Sequence, residues 1–194
     1  MIGFIHIPKC AGSSIKHWFN QHQIPFHQPR HQQLQELTDD QLNLAQQWFT
    51  VVRNPFDRMI SQYEFCFVKS TRMLSKYPEV PKNLIQYQEI LDLYHRGFSA
   101  WLRNYHTFNP RILLTQSSYI IDTRVASPPL VLKFEQLDDE WKTIQQLTNC
   151  YEPLPHIKVT DKTLDNYFTR KDQKYVIKHY QEDFERFGYS QELI

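Results

Sequence analysis

Short apolar runs alternate with amphipathic segments along most of this chain. Residues 2–7 (Ile-Gly-Phe-Ile-His-Ile) and residues 48–53 (Trp-Phe-Thr-Val-Val-Arg) are two such runs. Their length and composition predict buried strands, and residues 130–134 predict another. A pattern of helical spacing follows each run. We therefore predict an α/β fold with a mainly parallel central sheet flanked by helices.

The predicted helices are marked by apolar residues at helical spacing and by signals at their ends. Thr38 and Gln41 have the spacing of a capping box, which predicts a helix of about ten residues. Asn54 and Pro55 suit the start of another helix, and Gly188 suits the end of the last one. Further helices are predicted after residue 14 and over about residues 84–105, 138–147 and 171–187.

Composition and charge narrow the class of protein. The 194 residues, 41% of them hydrophobic, suit one compact domain, which we expect to span residues 1–194. Lysine and arginine number 22 against 21 aspartate and glutamate, so we expect no nucleic acid and no acidic membrane surface as a partner. No apolar run approaches the roughly 18 residues of a membrane span, so we also expect no integral membrane segment.

The number and spacing of the cysteines bear on the cellular compartment expected for the protein. Cys10, Cys66 and Cys150 are odd in number and widely spaced, and they match no zinc-binding pattern. The first residues carry no positively charged region or cleavage site of a signal peptide. These features favour a reducing compartment, and we expect a cytoplasmic protein.

The first candidate site is the segment Pro8-Lys9-Cys10-Ala11-Gly12-Ser13-Ser14, called here the phosphate loop, which joins a predicted strand to a predicted helix. Such a connection directs backbone N–H groups of the helix start at one point, which suits a phosphate or sulfate. Gly12 allows close approach of a ligand, while Ser13 and Ser14 add hydroxyl donors. Lys9 adds a cation. On this loop alone, an ordinary strand–turn–helix connection remains an open alternative.

The second candidate site begins at Arg53, the last residue of the second predicted strand. Ligands of open α/β sheets gather at the carboxyl ends of the strands. Ser61 follows two helical turns later and can face back toward the strand end. An arginine and a hydroxyl together can hold a second phosphate. The alternative, that Arg53 pairs with Asp57 and Ser61 has no role, stays open for this segment alone.

The two segments together resemble the motifs of the sulfotransferases, especially the carbohydrate sulfotransferase branch and its small bacterial members. The phosphate loop is similar to their 5′-phosphosulfate loop, with Cys10 where many members carry threonine. Arg53-Asn54-Pro55 followed by Ser61 is similar to their 3′-phosphate motif. The resemblance extends to residues 132–137 and to residues 180–189, which look like the family's late strand and carboxyl-terminal signature.

The resemblance implies a P-loop-like three-layer fold and transfer of a sulfonyl group from 3′-phosphoadenosine 5′-phosphosulfate to an acceptor hydroxyl. The partners would be this nucleotide donor and a glycan or small-molecule acceptor, with a carbohydrate preferred. We expect Lys9 to stabilise the leaving phosphate. The residues expected to bind the donor are Lys9, Cys10, Ala11, Gly12, Ser13, Ser14, Arg53 and Ser61. No metal-ligand cluster is evident, so we expect no metal.

An acceptor hydroxyl needs a general base, for which a histidine is suited. His31 is the candidate among nine histidines, because residues 31–37 resemble the family segment in which a catalytic histidine precedes Glu-Leu. His27 is the second choice. We interpret His6 as a buried residue lining the donor site rather than a base. Lys158 and Lys162 could fold over the donor, although a solvated loop is the simpler interpretation.

Two other functions remain open on the sequence. A non-catalytic module could bind adenosine 3′,5′-bisphosphate without turnover, and it would not require Lys9 or a base. A phosphoryl-transfer enzyme would need carboxylates to hold magnesium. The chain has no Gly-x4-Gly-Lys-Ser/Thr motif, which disfavours that second possibility.

Overall fold

A parallel sheet organises the amino-terminal part of the chain. The computed structural model describes residues 1–77, 81–125, 127–155, 157 and 167–193. Within these residues, the sheet has the strand order β2–β1–β3–β4, and every neighbouring pair is parallel. The strands are β1 (Ile2–Ile5), β2 (Phe26–His27), β3 (Gln47–Val52) and β4 (Leu130–Lys133).

The register brings the carboxyl ends of the strands to one edge of the sheet. Ile5 at the end of β1 pairs with Thr50, and Val52 at the end of β3 pairs with Lys133. The Thr50 hydroxyl also donates to the carbonyl of Ile5 over 2.8 Å. The loops that follow β1 and β3 therefore leave the same edge, as expected for ligand-binding loops in such a sheet.

Helices follow the strands in the predicted alternation, which confirms the α/β fold. Among the described residues, no helix combines the length and the apolar character needed to cross a membrane. The helices are α1 (Gly12–Gln21), α2 (Asp39–Asn43), α3 (Pro55–Leu74), α4 (Ile85–His95), α5 (Phe98–Asn104), α6 (Gln116–Tyr119), α7 (Leu137–Thr148), α8 (Arg170–His179) and α9 (Gln181–Phe187).

Two of the predicted helices are each divided in two. Residues 84–105 form α4 and α5, because Gly97 adopts a φ of 92°, which a helix cannot contain. Residues 171–187 form α8 and α9, which meet at Tyr180 with a φ of −118°. The capping box of Thr38 and Gln41 is present, but α2 has five residues rather than about ten.

The chain divides into two compact units. Unit 1 comprises Met1–Asn54 and Thr115–Asp161 and contains the sheet. Its core includes stacked rings of Phe4 and Phe49, with centroids 4.9 Å apart, and an edge contact between Trp18 and Trp141 at 5.1 Å.

Unit 2 comprises Pro55–Leu114 and Lys162–Ile194, and its described elements are helical. An aromatic cluster fills its core, in which Trp101 is fully buried and stacks on Tyr105 at 4.9 Å. The buried Tyr180 hydroxyl donates to the carbonyl of Ile112 over 2.5 Å. Our expectation that residues 1–194 form a single domain stays a prediction.

Candidate active site

The phosphate loop has an unusual backbone. Lys9 and Ala11 both have positive φ angles, 71° and 58°, which residues with a Cβ rarely adopt. Ala11 precedes α1 and caps it without a side-chain hydrogen bond. Backbone N–H groups in the first turn of a helix have no intrahelical acceptor, so they are available to an anion. Left-handed residues in such a turn also curve the backbone into an anion-binding concavity.

Gly12 is required by the position of His6. A Cβ at residue 12 would overlap the His6 imidazole, so the ring rests directly against the helix start. The Gln28 amide donates to His6 Nδ1 over 3.0 Å, which places the imidazole proton on Nε2. Burial, together with the nearby His31, Lys16 and Lys9, lowers the pKa of His6 from 6.5 to about 3. His6 is therefore neutral near physiological pH.

Arg53 lies immediately after β3, and the structure brings it to the phosphate loop. Its Nη1 donates to the carbonyl of Lys9 over 3.5 Å. The guanidinium stacks on the ring of Phe134, 4.2 Å from the ring centroid. Its Nε atom is buried and has no hydrogen-bond partner among the residues that the structure describes. A buried N–H of this kind, held on an aromatic face beside a loop of amides, suits an anionic ligand.

Gln116 is a residue of this site that the sequence analysis missed. Its side-chain oxygen accepts from the backbone N–H of Arg53 over 2.9 Å, and its amide nitrogen donates to the carbonyl of Arg53 over 2.8 Å. The same oxygen accepts from the thiol of Cys10 over 3.3 Å. Gln116 lies far from both motifs in sequence, at the start of the one-turn helix α6. No local pattern could have indicated it.

His31 lies beside His6, with ring centroids 4.3 Å apart. Its Nδ1 lies 3.2 Å from the carbonyl of His6. A carbonyl can only accept, so Nδ1 carries the proton, and in a neutral imidazole Nε2 then bears the lone pair. His31 also has a positive φ of 54°, and such backbone strain is often found at functional sites.

The remaining candidates occupy several environments. Ser13 is exposed, and the hydroxyl of Ser14 accepts from the backbone N–H of Ile157 over 3.3 Å. His27 is in β2 and makes an edge contact with Trp48 at 5.7 Å. Ser61 is half-buried in α3, which belongs to unit 2. Lys158 and Lys162 lie outside the described residues.

The segment before α2 and the start of α2 itself are both bonded to residues 118–124 within unit 1. Gln33 donates to the hydroxyl of Ser118 in α6 over 2.7 Å. Arg124 pairs with Asp122 and with Asp39 of α2, at 2.6 and 2.8 Å. The segment that carries His31 is thereby attached to the segment that carries Gln116.

The geometry of unit 1 suits recognition of an anion with two separated negative groups. The phosphate loop offers helix amides and Lys9, while Arg53 offers a guanidinium at the end of the neighbouring strand. The described residues contain no group of three or more histidine, cysteine, aspartate or glutamate side chains that could hold a metal ion.

Comparison with known proteins agrees with this geometry. A search of curated proteins found no match. The model of a family described as the sulfotransferase family matches residues 1–190, nearly the whole chain. Enzymes of this family transfer sulfonyl groups. The chain therefore belongs to the sulfotransferase family.

Proposed function

We propose that this protein transfers a sulfonyl group from 3′-phosphoadenosine 5′-phosphosulfate to an acceptor hydroxyl, with a carbohydrate as the preferred acceptor. The observation that carries the proposal is the contact between the phosphate loop and Arg53 at the carboxyl ends of β1 and β3. Two cationic side chains and a helix start there fit a nucleotide that has a negative group at each end.

In the proposal, the phosphate loop holds the 5′-phosphosulfate. The amides of Gly12, Ser13 and Ser14 donate to its oxygens, and Lys9 faces the bridging oxygen. The positive φ angles of Lys9 and Ala11 support this role, because they curve the backbone toward a bound anion. Cys10 shapes the loop from its buried position rather than contacting the sulfate.

Arg53 holds the 3′-phosphate in the proposal. Its buried Nε atom supports this role, because the donor's phosphate would give that N–H the acceptor it lacks among the described residues. Ser61 is proposed as a second donor to the same phosphate, on the basis of its spacing from Arg53 and the family resemblance.

The proposed reaction is a direct transfer. The acceptor oxygen attacks sulfur, the bond between sulfur and the bridging oxygen breaks, and adenosine 3′,5′-bisphosphate leaves. The acceptor proton passes to Nε2 of His31, the nitrogen that bears the lone pair in the neutral ring. Negative charge that develops on the leaving phosphate is stabilised by Lys9. Positioning and electrostatics supply the acceleration, as in phosphoryl transfer.

A carbohydrate acceptor is proposed from the resemblance to the carbohydrate branch, which is consistent with the family of this chain. The attachment of the segment that carries His31 to residues 115–124 supports an acceptor site there. The side chains in the Gln33–Ser118 contact are an amide and a hydroxyl, groups of the kind that bind the hydroxyls of a sugar.

A titration followed by an acceptor screen tests the proposal. Adenosine 3′,5′-bisphosphate should raise the melting temperature of the protein in a saturable manner, because it binds only the folded state. Labelled donor should then sulfate at least one member of a panel of mono- and oligosaccharides. Saturable binding without transfer to carbohydrate, phenol or alcohol acceptors would favour the non-catalytic binding module instead. Loss of turnover in EDTA would contradict a metal-independent transfer.

A further inference from the structure

The side-chain amide of Gln116 pairs with Arg53 as a neighbouring strand would. It bonds both the N–H and the C=O of Arg53, at 2.9 and 2.8 Å, one residue beyond the end of β3 at Val52. Buried backbone N–H and C=O groups need hydrogen-bond partners, and beyond the end of a strand no neighbouring strand provides them. Gln116 therefore extends the pairing of β3 by one residue and fixes the backbone from which the Arg53 side chain departs.

Gln116 also reaches the phosphate loop. Its oxygen accepts from the Cys10 thiol over 3.3 Å while it accepts from the backbone of Arg53. Both Gln116 and Cys10 are fully buried. One amide thus connects the two loops that follow β1 and β3.

The local structure around Gln116 holds its side chain in place. Thr115 caps α6 by accepting from the N–H of Ser118 over 3.1 Å. The hydroxyl of Ser118 donates to the carbonyl of Thr115 over 2.7 Å. Because these two hydrogen bonds join Thr115 to Ser118 across the single turn, the Gln116 side chain departs from a preorganised backbone.

We propose that Gln116 is a positioning residue that sets the place of Arg53 relative to the phosphate loop and thereby determines affinity for the 3′-phosphate of the donor. This inference rests on the proposed function of the site. Gln116 holds the backbone of Arg53 by two hydrogen bonds but the phosphate loop only through the weakly donating thiol of Cys10. Its loss should therefore weaken ligands that carry a 3′-phosphate more than ligands that lack one.

The test compares adenosine 3′,5′-bisphosphate with adenosine 5′-monophosphate by calorimetry on the whole chain. Gln116→Met keeps the side-chain volume and removes the hydrogen bonds of the amide to Arg53 and Cys10. We expect it to weaken the bisphosphate about tenfold or more, the effect of leaving a buried backbone donor without its partner. The monophosphate should lose less than about threefold, since it makes no contact with Arg53.

A double-mutant cycle separates positioning from general stability. If Gln116 acts through the Arg53 side chain, Gln116→Met should change bisphosphate affinity by less than about threefold in an Arg53→Ala background. Gln145→Met is the matched control, because Gln145 also donates to backbone carbonyls in unit 1, those of Tyr151 and Glu152. It should leave both affinities unchanged. Gln116→Asn, which keeps an amide of shorter reach, provides the same comparison if the Met variant fails to fold.

The outcomes distinguish this inference from the function on which it rests. Wild-type protein that binds both ligands equally would overturn the role of Arg53 and this inference together. Wild-type discrimination that persists in Gln116→Met and Gln116→Asn would overturn the inference alone. Equal loss of affinity for both ligands would also overturn the inference, because Gln116 would then have only a structural role. Additive effects of Gln116→Met and Arg53→Ala on affinity would lead to the same conclusion.

Discussion

The guanidinium of Arg53 is the group through which donor recognition can be tested most directly. Arg53→Ala should weaken adenosine 3′,5′-bisphosphate by about 2 kcal/mol or more, the range for hydrogen bonds to a charged group. Adenosine 5′-phosphosulfate should lose much less affinity, because it lacks the 3′-phosphate. Arg53→Lys keeps the charge but lacks the planar guanidinium, so its affinity for the bisphosphate should lie between those of the wild type and Arg53→Ala. Calorimetry with both ligands makes the measurement, and equal losses would contradict the assignment.

Lys9 is proposed to act mainly on charge that forms in the transition state. Lys9→Ala should therefore lower turnover about a hundredfold or more while product affinity falls less. Steady-state rates with labelled donor and calorimetry with adenosine 3′,5′-bisphosphate give the two quantities. Lys16→Ala is the control, since Lys16 is an exposed cation of α1 close to the same loop. Wild-type turnover in Lys9→Ala would show that the phosphate loop binds the anion without a catalytic contribution from Lys9.

His31 is proposed as the base because its Nδ1–H is directed at the carbonyl of His6, so the lone pair of the neutral ring is on Nε2. His31→Ala should reduce turnover by about 10²–10⁴, the usual contribution of general-base catalysis, with little change in donor affinity. His27→Ala should be milder, since His27 lies in β2 against Trp48.

If His27→Ala abolishes turnover while His31→Ala retains it, the base is His27, and the proposed sulfonyl transfer is unaffected. If neither variant affects turnover, Glu64 is the next residue to test. Its carboxylate accepts a hydrogen bond from the Tyr167 hydroxyl over 2.9 Å.

The start of α1 depends on the contact between Gly12 and His6. Gly12→Ala should destabilise the protein by about 1–3 kcal/mol, the usual cost of overpacking, because the added methyl group overlaps the imidazole. Removing the ring in the double variant His6→Ala/Gly12→Ala should recover part of that loss. Urea unfolding of the two single variants and the double variant measures the coupling. Additive losses would show that the two residues act independently.

The elements that the sequence predicted correctly are those with strong local signals. Apolar runs located β1, β3 and β4 within a few residues, and Gly188 ends α9 in the left-handed conformation that its type favours. Gly97 was harder to interpret, because a glycine within a periodic helical pattern can be tolerated or can end the helix. The two-residue strand β2 has too few residues to show any period.

The candidate site was predictable only where its residues belong to contiguous motifs. The phosphate loop and Arg53 each follow a strand, and parallel topology brings such loops together. Gln116 and Phe134 were missed as contacts of Arg53 because they come from distant segments. Their side chains reach the site through tertiary packing, which no window of neighbouring residues records.

Stability of the protein should depend on pH through His6. The unfolded chain binds a proton at this residue below about pH 6.5, whereas the folded chain does so only near a pKa of about 3. The unfolded state therefore holds more protons between these values, and the free energy of unfolding must fall as the pH falls through this range.

Comparison with His6→Asn isolates this contribution. Between pH 7 and pH 5, the wild-type free energy of unfolding should fall by about 2 kcal/mol more than that of the variant. Asparagine keeps an acceptor for the Gln28 amide, so the folded structure is disturbed little. Denaturant unfolding at several pH values makes the measurement, and parallel pH profiles would show that folding does not lower the pKa of His6.

The discontinuous course of unit 1 affects the order in which the molecule can be built. β1, β2 and β3 all come from Met1–Asn54, whereas β4 follows only after the whole of Pro55–Leu114. Pairings between strands distant in sequence require closure of a long loop, which slows folding. During synthesis, one edge of β3 therefore stays unpaired until the ribosome has released β4, and such an edge can pair with another chain.

The same chain order would make the proposed nucleotide binding a late event in biogenesis. The phosphate loop and Arg53 are synthesised early, but Gln116 and Phe134, which hold the backbone and the guanidinium of Arg53, arrive with the second segment of unit 1. A nascent chain that ends before Gln116 thus has both anion-binding motifs without the supports that orient them. Under the proposed function, high affinity for the donor therefore requires a completed sheet, and the nucleotide should bind chains that contain β4 in preference to shorter ones.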